Sequence, residues 1–150
     1  MLSEVGIMEG GSVLDFGCGS GTYSIPAAKL VGKKGKIYAL DASKAALENL
    51  SRKAEYEGLD NIVTLNSSRN MEIPIDNDTI DHVLLIDVLQ EISDKEALMA
   101  EIHRLLKPDG LVVVYPMHID AQEFVKLASD MKFTLKEKIF QEKILVFKKA

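Results

Sequence analysis

Residues 12–22 read Ser-Val-Leu-Asp-Phe-Gly-Cys-Gly-Ser-Gly-Thr, a short apolar run that ends in a loop with glycine at every second position. Because glycine lacks a Cβ, Gly17, Gly19 and Gly21 allow the backbone to turn sharply and to approach a ligand closely. The helix expected after this loop offers free N–H groups to an anionic moiety. The stretch therefore predicts a strand, a ligand-binding loop and a helix, with an ordinary glycine turn as the alternative interpretation.

Strand-like and helix-like runs alternate along the rest of the chain. Apolar runs predict strands over residues 12–16, 36–40, 61–65, 80–86 and 111–115. Helical spacing predicts helices over residues 22–31, 43–57 and 120–131, and a further helix behind a capping box at residues 93–96. The Lys-Pro-Asp-Gly sequence of residues 107–110 predicts a turn before the fifth strand.

The end of the chain has a different pattern. Residues 133–140 and 143–148 are both β-prone with no helix between them, so they predict an antiparallel hairpin. We therefore predict an α/β fold: a Rossmann-like open, mostly parallel sheet flanked by helices, with a C-terminal antiparallel hairpin. In such sheets the ligand binds beyond the carboxyl ends of the strands, where the strand order reverses.

Length and composition narrow the class of protein. The chain has 150 residues, which suits a single domain over residues 1–150. A formal charge of −5 argues against nucleic acid as the main partner. One cysteine, Cys18, and three scattered histidines predict neither a disulfide framework nor a metal site. No apolar run is long enough to span a membrane and the N-terminus lacks a signal-peptide pattern, so we expect a cytoplasmic protein.

Asp41 ends the second predicted strand, 20 residues after Gly21. A carboxylate at this position can accept hydrogen bonds from a ribose diol, as in folds that bind dinucleotides. The alternative is that Asp41 caps the helix that begins near Ser43. A nicotinamide cofactor is disfavoured, because its G-x-G-x-x-G fingerprint requires a glycine where this chain has Thr22.

With residues 15–21, Asp-Phe-Gly-Cys-Gly-Ser-Gly, the chain resembles the class I S-adenosylmethionine-dependent methyltransferases at their first motif. Residues 73–81 resemble the segment that leads into the fourth strand of that family, and residues 104–111 resemble its helix, turn and fifth strand. The three motifs occur in the family's order. The chain is similar to the methyltransferase type 11 group, which includes ubiquinone and menaquinone C-methyltransferases.

The resemblance implies S-adenosyl-L-methionine as the cofactor and a donor site at the carboxyl edge of the sheet. The residues that it assigns to this site are Asp15, Gly17, Gly19, Gly21, Asp41, Ala42, Ser68 and Arg69. The glycines would line the methionine part, Asp15 would hold the loop and the donor's amino group, and Asp41 would take the ribose hydroxyls. Adenine would lie between the residues after the second and third strands, although this chain lacks the aspartate that many relatives carry there.

For catalysis, the resemblance points to Asp87 after the fourth strand and to His118 after the fifth. Asp87 would act on the cationic sulfur or orient the acceptor, and His118 would serve as a base if the acceptor must lose a proton. The alternatives are a solvated strand-end acid and a surface histidine. Gln90 departs from relatives that have histidine at this position, which removes one possible base.

We expect a methyltransferase that moves a methyl group to a small-molecule or lipid-like acceptor by in-line displacement. Only eleven residues precede Ser12, so we expect an open donor site, or one covered by a second subunit in a homodimer. An open edge suits a bulky acceptor such as a lipid-like molecule, a corrinoid or a protein. The alternative function is a non-catalytic subunit that binds S-adenosylmethionine and supports a partner.

Overall fold

Seven strands and four α-helices are present in a computed structural model that describes residues 1–67 and 72–150. The elements are β1 (Ser12–Phe16), α1 (Ser24–Val31), β2 (Lys36–Asp41), α2 (Lys44–Tyr56), β3 (Ile62–Asn66), β4 (Ile80–Ile86), a short 3₁₀ turn (Leu89–Glu91), α3 (Lys95–Leu105), β5 (Leu106–Tyr115), α4 (Ala121–Asp130), β6 (Phe133–Ile139) and β7 (Ile144–Lys149). The strands form one mixed sheet in the order β3-β2-β1-β4-β5-β7-β6. The predicted fold class is confirmed.

The described residues fall into two compact parts, one on each side of residues 68–71. We call residues 1–67 the N-terminal unit and residues 72–150 the C-terminal unit. In the N-terminal unit, β1 pairs with β2 and β2 with β3, all in parallel. β1 and β2 are each followed by a helix, which is the arrangement that parallel neighbours require.

A buried cluster joins the helices of the N-terminal unit to its strands. Its members are Cys18, Ile25, Ala39, Leu47, Leu50 and Ala54. Leu47, Leu50 and Ala54 recur at helical spacing, so one face of α2 is apolar and packs inward. Ser43 caps this helix by accepting a hydrogen bond from the Ala46 N–H at 3.1 Å. The alternative interpretation of Asp41 as the helix cap is therefore wrong.

The C-terminal unit contains the predicted hairpin. β4 pairs with β5 in parallel, β7 pairs with β5 antiparallel, and β6 pairs with β7 antiparallel. The prediction of a separate turn at residues 107–110 is wrong, because these residues belong to β5. They nevertheless bulge, since Leu106 lies opposite Ile80 while Leu111 lies opposite His82. The proline and glycine thus accommodate surplus residues within a strand rather than ending it.

The start of α3 also differs from its prediction by one residue. The capping box predicted Ser93 as the cap, but the cap is Asp94, whose carboxylate accepts a hydrogen bond from the Ala97 N–H at 2.9 Å. Aspartate and serine are comparable caps, so the sequence alone does not separate these two neighbouring residues.

The segment that precedes β4 is fastened by one side chain of α3. The Arg104 guanidinium donates to the backbone oxygens of Ile73 and Ile75, each at 2.9 Å, and to Oδ1 of Asn77 at 2.8 Å. Glu101 pairs with the same guanidinium at 2.6 and 2.9 Å and also accepts from the Ile73 N–H at 2.6 Å. This network fixes the backbone that leads into β4.

Candidate functional site

The glycine loop after β1 turns through three left-handed backbone positions. Gly17, Gly19 and Gly21 have φ angles of 77°, 56° and 97°. The N–H groups of Gly17 and Cys18 both donate to the backbone oxygen of Leu40, at 2.8 and 2.9 Å. The loop is therefore held against the carboxyl end of β2.

The surroundings of Gly19 and Gly21 differ. A Cβ at Gly21 would overlap the Leu50 side chain, so this glycine is required by packing against α2. A Cβ at Gly19 would meet nothing within 4 Å, so this glycine faces open space. A ligand can therefore approach the backbone of Gly19 from its Cβ side, whereas the Cβ side of Gly21 is occupied by Leu50.

Asp41 joins the end of β2 to the loop. Its carboxylate accepts one hydrogen bond from the Gly19 N–H and one from the Ser43 N–H, each at 2.8 Å. The side chain of Asn66, at the end of β3, donates to the backbone oxygens of Asp41 and Ala42 at 3.2 and 3.3 Å. A carboxylate has about four acceptor positions, so Asp41 retains capacity for further donors such as hydroxyl groups.

Asp15 is buried beneath the loop, with 2% of its surface exposed. It accepts a hydrogen bond from the Ser24 hydroxyl at 2.7 Å. Burial raises the pKa of the Asp15 carboxyl to about 6, while the bond from Ser24 opposes this shift and the charge of Asp41 adds to it. Asp15 therefore links β1 to the first turn of α1.

Two polar contacts of the loop were missed by the sequence analysis. Ser24 is fully buried and points at Asp15, and Lys53 of α2 donates to the backbone oxygen of Ser20 at 3.3 Å. A serine in the first turn of a helix is the only sequence signal for the first contact. Nothing in the sequence indicates the second, because it depends on how α2 packs beside the loop.

Cys18 lies inside the loop but is not available for chemistry. Its side chain belongs to the buried cluster, and its thiol contacts the Gly19 backbone oxygen at 3.4 Å. Burial, together with the nearby charges of Asp15 and Asp41, raises the pKa of this thiol to about 12. Because the thiolate is the reactive form, Cys18 acts as a small packing residue.

The residues predicted to lie beside adenine are placed only in part. Ala42 is exposed at the start of the turn into α2. Ser67 follows β3 and donates its N–H to the Asp41 backbone oxygen at 2.9 Å, so the ends of β2 and β3 stay together. Ser68 and Arg69 lie outside the described residues.

In the C-terminal unit, the two predicted catalytic residues follow neighbouring parallel strands. Asp87 follows β4 and His118 lies in the turn after β5, and both are exposed. Their φ angles, 53° and 62°, are left-handed. The Gln90 side chain donates to the Asp87 carboxylate at 2.8 Å and to its backbone oxygen at 3.1 Å. Gln90 thus positions the carboxylate of Asp87.

Two further properties concern residues 1–67 and 72–150. Within these ranges, no group of three or more histidine, cysteine, aspartate or glutamate side chains is arranged to hold a metal ion. Within the same ranges, no helix has the length and apolar character needed to cross a membrane.

Comparisons with known proteins identify similar methyltransferases. A methyltransferase domain model matches residues 7–147. Over 107 residues the chain is 36% identical to a demethylmenaquinone methyltransferase from Bacillus subtilis (strain 168), covering 71% of this chain and 46% of that protein. The chain spans about half the length of the curated relatives it matches.

Solved structures show the same architecture. A SAM dependent methyltransferase from Aquifex aeolicus has a TM-score of 0.83 and 25% identity, covering 98% of this chain and 85% of that one. A geranyl diphosphate C-methyltransferase from Streptomyces coelicolor A3(2), solved with S-adenosyl-L-homocysteine, has a TM-score of 0.84 over 99% of this chain and 76% of that one. At 12% identity, the second likeness concerns the fold alone. Since the domain model leaves out only the first six and the last three residues, the chain belongs to the methyltransferase domain family.

Proposed function

We propose that the chain is an S-adenosyl-L-methionine-dependent methyltransferase that transfers a methyl group to a small-molecule or lipid-like acceptor. The observation that carries this proposal is the open side of Gly19, which lies next to the partly free carboxylate of Asp41. A loop that a ligand can approach closely, beside a hydrogen-bond acceptor, suits a nucleoside with a charged amino-acid tail. Family membership supports the same donor.

The residues of the N-terminal unit would hold the donor. Gly17 and Gly19 present backbone to the methionine part, and Asp41 has acceptor capacity left for the ribose hydroxyls. Asp15 supports the loop from below through Ser24. Gly21 acts by packing. Ala42, Ser68 and Arg69 are proposed to lie beside adenine.

The donor, when bound, supplies a methyl group that the positive charge on sulfur has already activated. The protein then has to align the acceptor and exclude water, and such positioning supplies about 7–11 kcal/mol in well-oriented reactions. We propose that Asp87, held by Gln90, orients the acceptor. His118 is the proposed base for an acceptor that must lose a proton.

The names of the relatives support the proposed acceptor class. Curated relatives that the chain matches are named demethylmenaquinone methyltransferases, so a quinone with an apolar tail is the first acceptor to test. We further propose that residues 1–150 act as a single cytoplasmic domain and that a second copy in a homodimer covers the donor site.

A second candidate function is a non-catalytic subunit that binds the donor and supports a partner. The observation that favours it is the side-chain amide of Gln90, which occupies one oxygen of Asp87. This subunit would bind the donor with the same loop and would form product only when a partner is added.

Calorimetry and turnover together test these proposals. We expect S-adenosylmethionine and S-adenosylhomocysteine to bind and NADH not to bind; binding of NADH alone would refute the proposal. Purified chain should then methylate reduced demethylmenaquinone. Donor binding with product only in the presence of a partner protein would favour the non-catalytic subunit instead.

A further inference from the structure

The turn between β6 and β7 exposes an aromatic side chain, and its backbone has an energetically unfavourable conformation. Phe140 is 47% exposed, and the φ angles of Phe140, Gln141 and Glu142 are 51°, 56° and 66°. A bulky residue in the left-handed region is an outlier, and such conformations persist where the surrounding structure fixes them. The hairpin therefore holds the Phe140 ring outward at an energetic cost.

The strand register places this turn at the end of the C-terminal unit where the predicted catalytic residues lie. Leu85 of β4 and Leu145 of β7 both lie opposite Val114 of β5. Because β7 runs antiparallel to β5, the residues before β7 project past the carboxyl ends of β4 and β5. Phe140 therefore lies at the same end of the sheet as Asp87.

A second apolar side chain is exposed at this end. Met117, in the segment after β5, is 37% exposed. The edge thus presents two large apolar side chains, Phe140 and Met117, from segments that flank neighbouring strands. Single exposed apolar residues are ordinary, so the case for a contact surface rests on finding both at one end of the unit, with one of them on a strained turn.

The same hairpin carries positive charge on an otherwise acidic chain. Residues 132–150 contain six lysines and two glutamates, a side-chain balance of +4, whereas the whole chain carries −5. At the turn itself, residues 138–143 have a balance of +1, from Lys138, Lys143 and Glu142. Lys148 pairs with Asp109 and Lys149 with Asp78, at 3.0 and 3.1 Å. Of these six lysines, Lys132, Lys136, Lys138 and Lys143 have no ion pair among the described residues.

Protection of an edge strand explains part of this pattern. β6 is the last strand of the sheet, and it bulges between Leu135 and Glu137, where Lys136 lies. Lysines and bulges on edge strands prevent pairing with other chains. That function requires neither an aromatic side chain at the turn nor a lysine beyond the strand, so Phe140 and Lys143 need another explanation.

We propose that residues 138–143 dock the protein on an anionic lipid surface. Aromatic rings favour the interface between water and lipid, and lysines near an anionic bilayer are attracted to its surface. Phe140 enters the interface while Lys138 and Lys143 contact the headgroups. Docking would bring the carboxyl edge of the sheet to a lipid-like acceptor, and this purpose rests on the proposed function. Docking itself is measured without donor or acceptor.

Sedimentation of the whole chain with vesicles tests the docking. Vesicles of phosphatidylcholine with phosphatidylserine should bind the protein at low salt and release it as ionic strength rises, while pure phosphatidylcholine should bind little. Phe140→Asn should weaken binding about tenfold. It should keep the fold, because asparagine tolerates left-handed backbone. Tyr56→Asn is the matched control, since Tyr56 is 92% exposed at the end of α2.

The charge contribution is tested by a second pair of variants. The double variant Lys138→Gln and Lys143→Gln should lose about fivefold in binding for each lysine. The control is Lys33→Gln with Lys34→Gln, which removes equal charge from an exposed turn before β2. Equal losses in the two double variants, or equal binding to neutral and anionic vesicles, would overturn the proposal. Phe140→Asn should leave the affinity for S-adenosylhomocysteine in solution unchanged; a loss there would overturn it too, by assigning Phe140 to donor binding.

Discussion

The two units turn the chain at their strand ends with different residues. After β1, the N-terminal unit turns through Gly17, Gly19 and Gly21, which all have positive φ angles. After β4 and β5, the C-terminal unit turns through Asp87 and His118, which also have positive φ angles. Glycine takes this conformation without a steric penalty, whereas a residue with a Cβ is strained there. The first loop is therefore specified locally, and the second set of turns must be held by neighbouring groups.

The hydrogen bonds match this difference. Leu40 and Asp41 bind three successive N–H groups of the glycine loop at 2.8–2.9 Å. Asp87 is held by a longer bond of 3.3 Å from its N–H to Tyr115 and by the side chain of Gln90. We infer that the glycine loop, which is the proposed donor site, is stiff, whereas the strained turns lie where the acceptor is proposed to bind.

Gly21→Val should give the largest effect. A side chain at Gly21 overlaps Leu50 and also strains a backbone with φ of 97°. We expect the free energy of unfolding to fall by about 3 kcal/mol or more, as measured by urea denaturation. A loss below about 1 kcal/mol would show that α2 moves aside easily and that the loop is less stiff than we infer.

Gly19→Val should separate binding from packing. A valine at Gly19 enters open space, so its cost to folding is only the strain of the left-handed backbone. Gly58→Val is the control, because Gly58 has φ of 69°, also faces open space and lies after α2. Both variants should lose about 1–2 kcal/mol of stability. Calorimetry should show that only Gly19→Val loses S-adenosylhomocysteine binding, by about a hundredfold or more; retained binding would remove the loop from the donor site.

Asp15→Asn tests the support beneath the loop. The pKa of Asp15 is raised from 3.8 to about 6, so the folded state holds a proton there more tightly than the unfolded state does. The stability from this group is fully present below pH 3.8 and is lost as pH rises through 6. Asparagine avoids this loss and keeps an oxygen for Ser24. The free energy of unfolding of Asp15→Asn, relative to that of wild type, should therefore rise by about 2 kcal/mol between about pH 4 and pH 7.

Urea unfolding across this pH range measures the effect of Asp15→Asn. Asp60→Asn, at an exposed position, controls for the chemical change itself. If the free energies of unfolding of both variants change with pH in the same way as that of wild type, then Asp15 ionises freely in the folded protein. Its bond with Ser24 would then support the loop without a protonated carboxyl.

The sequence predicted the elements that local residue patterns determine. Apolar runs and helical spacing located the seven strands and four helices within a few residues, because burial imposes these periods on the chain. Alternating glycines located the loop, because few other residues accept its backbone angles. Asp41 was identified as part of the loop site from its position at the end of the second predicted strand, 20 residues after Gly21.

The rest depended on packing between distant segments. The bond from Ser24 to Asp15 requires α1 to lie across β1, and the bond from Gly19 to Asp41 requires the loop to fold back on β2. The bulge at residues 107–110 reflects the register of β5 against β4, which no turn motif encodes. Gln90 was identified only as a departure from relatives, and its contact with Asp87 emerged from the 3₁₀ turn that carries it.

Gln141→Gly should give the smallest effect and the opposite sign. Gln141 is the middle of three consecutive left-handed residues and is exposed, so glycine there removes strain without removing a contact that the described residues provide. Relief of strain exceeds the added freedom of the unfolded chain, so we expect stability to rise by about 0.5–1 kcal/mol in thermal and urea unfolding. Gln141→Ala keeps the Cβ and should leave stability within about 0.5 kcal/mol of wild type. A fall in stability for the glycine variant would mean that the turn is not strained. The contrast between the glycine loop and the turns of the C-terminal unit would then concern residue type alone and not stored energy.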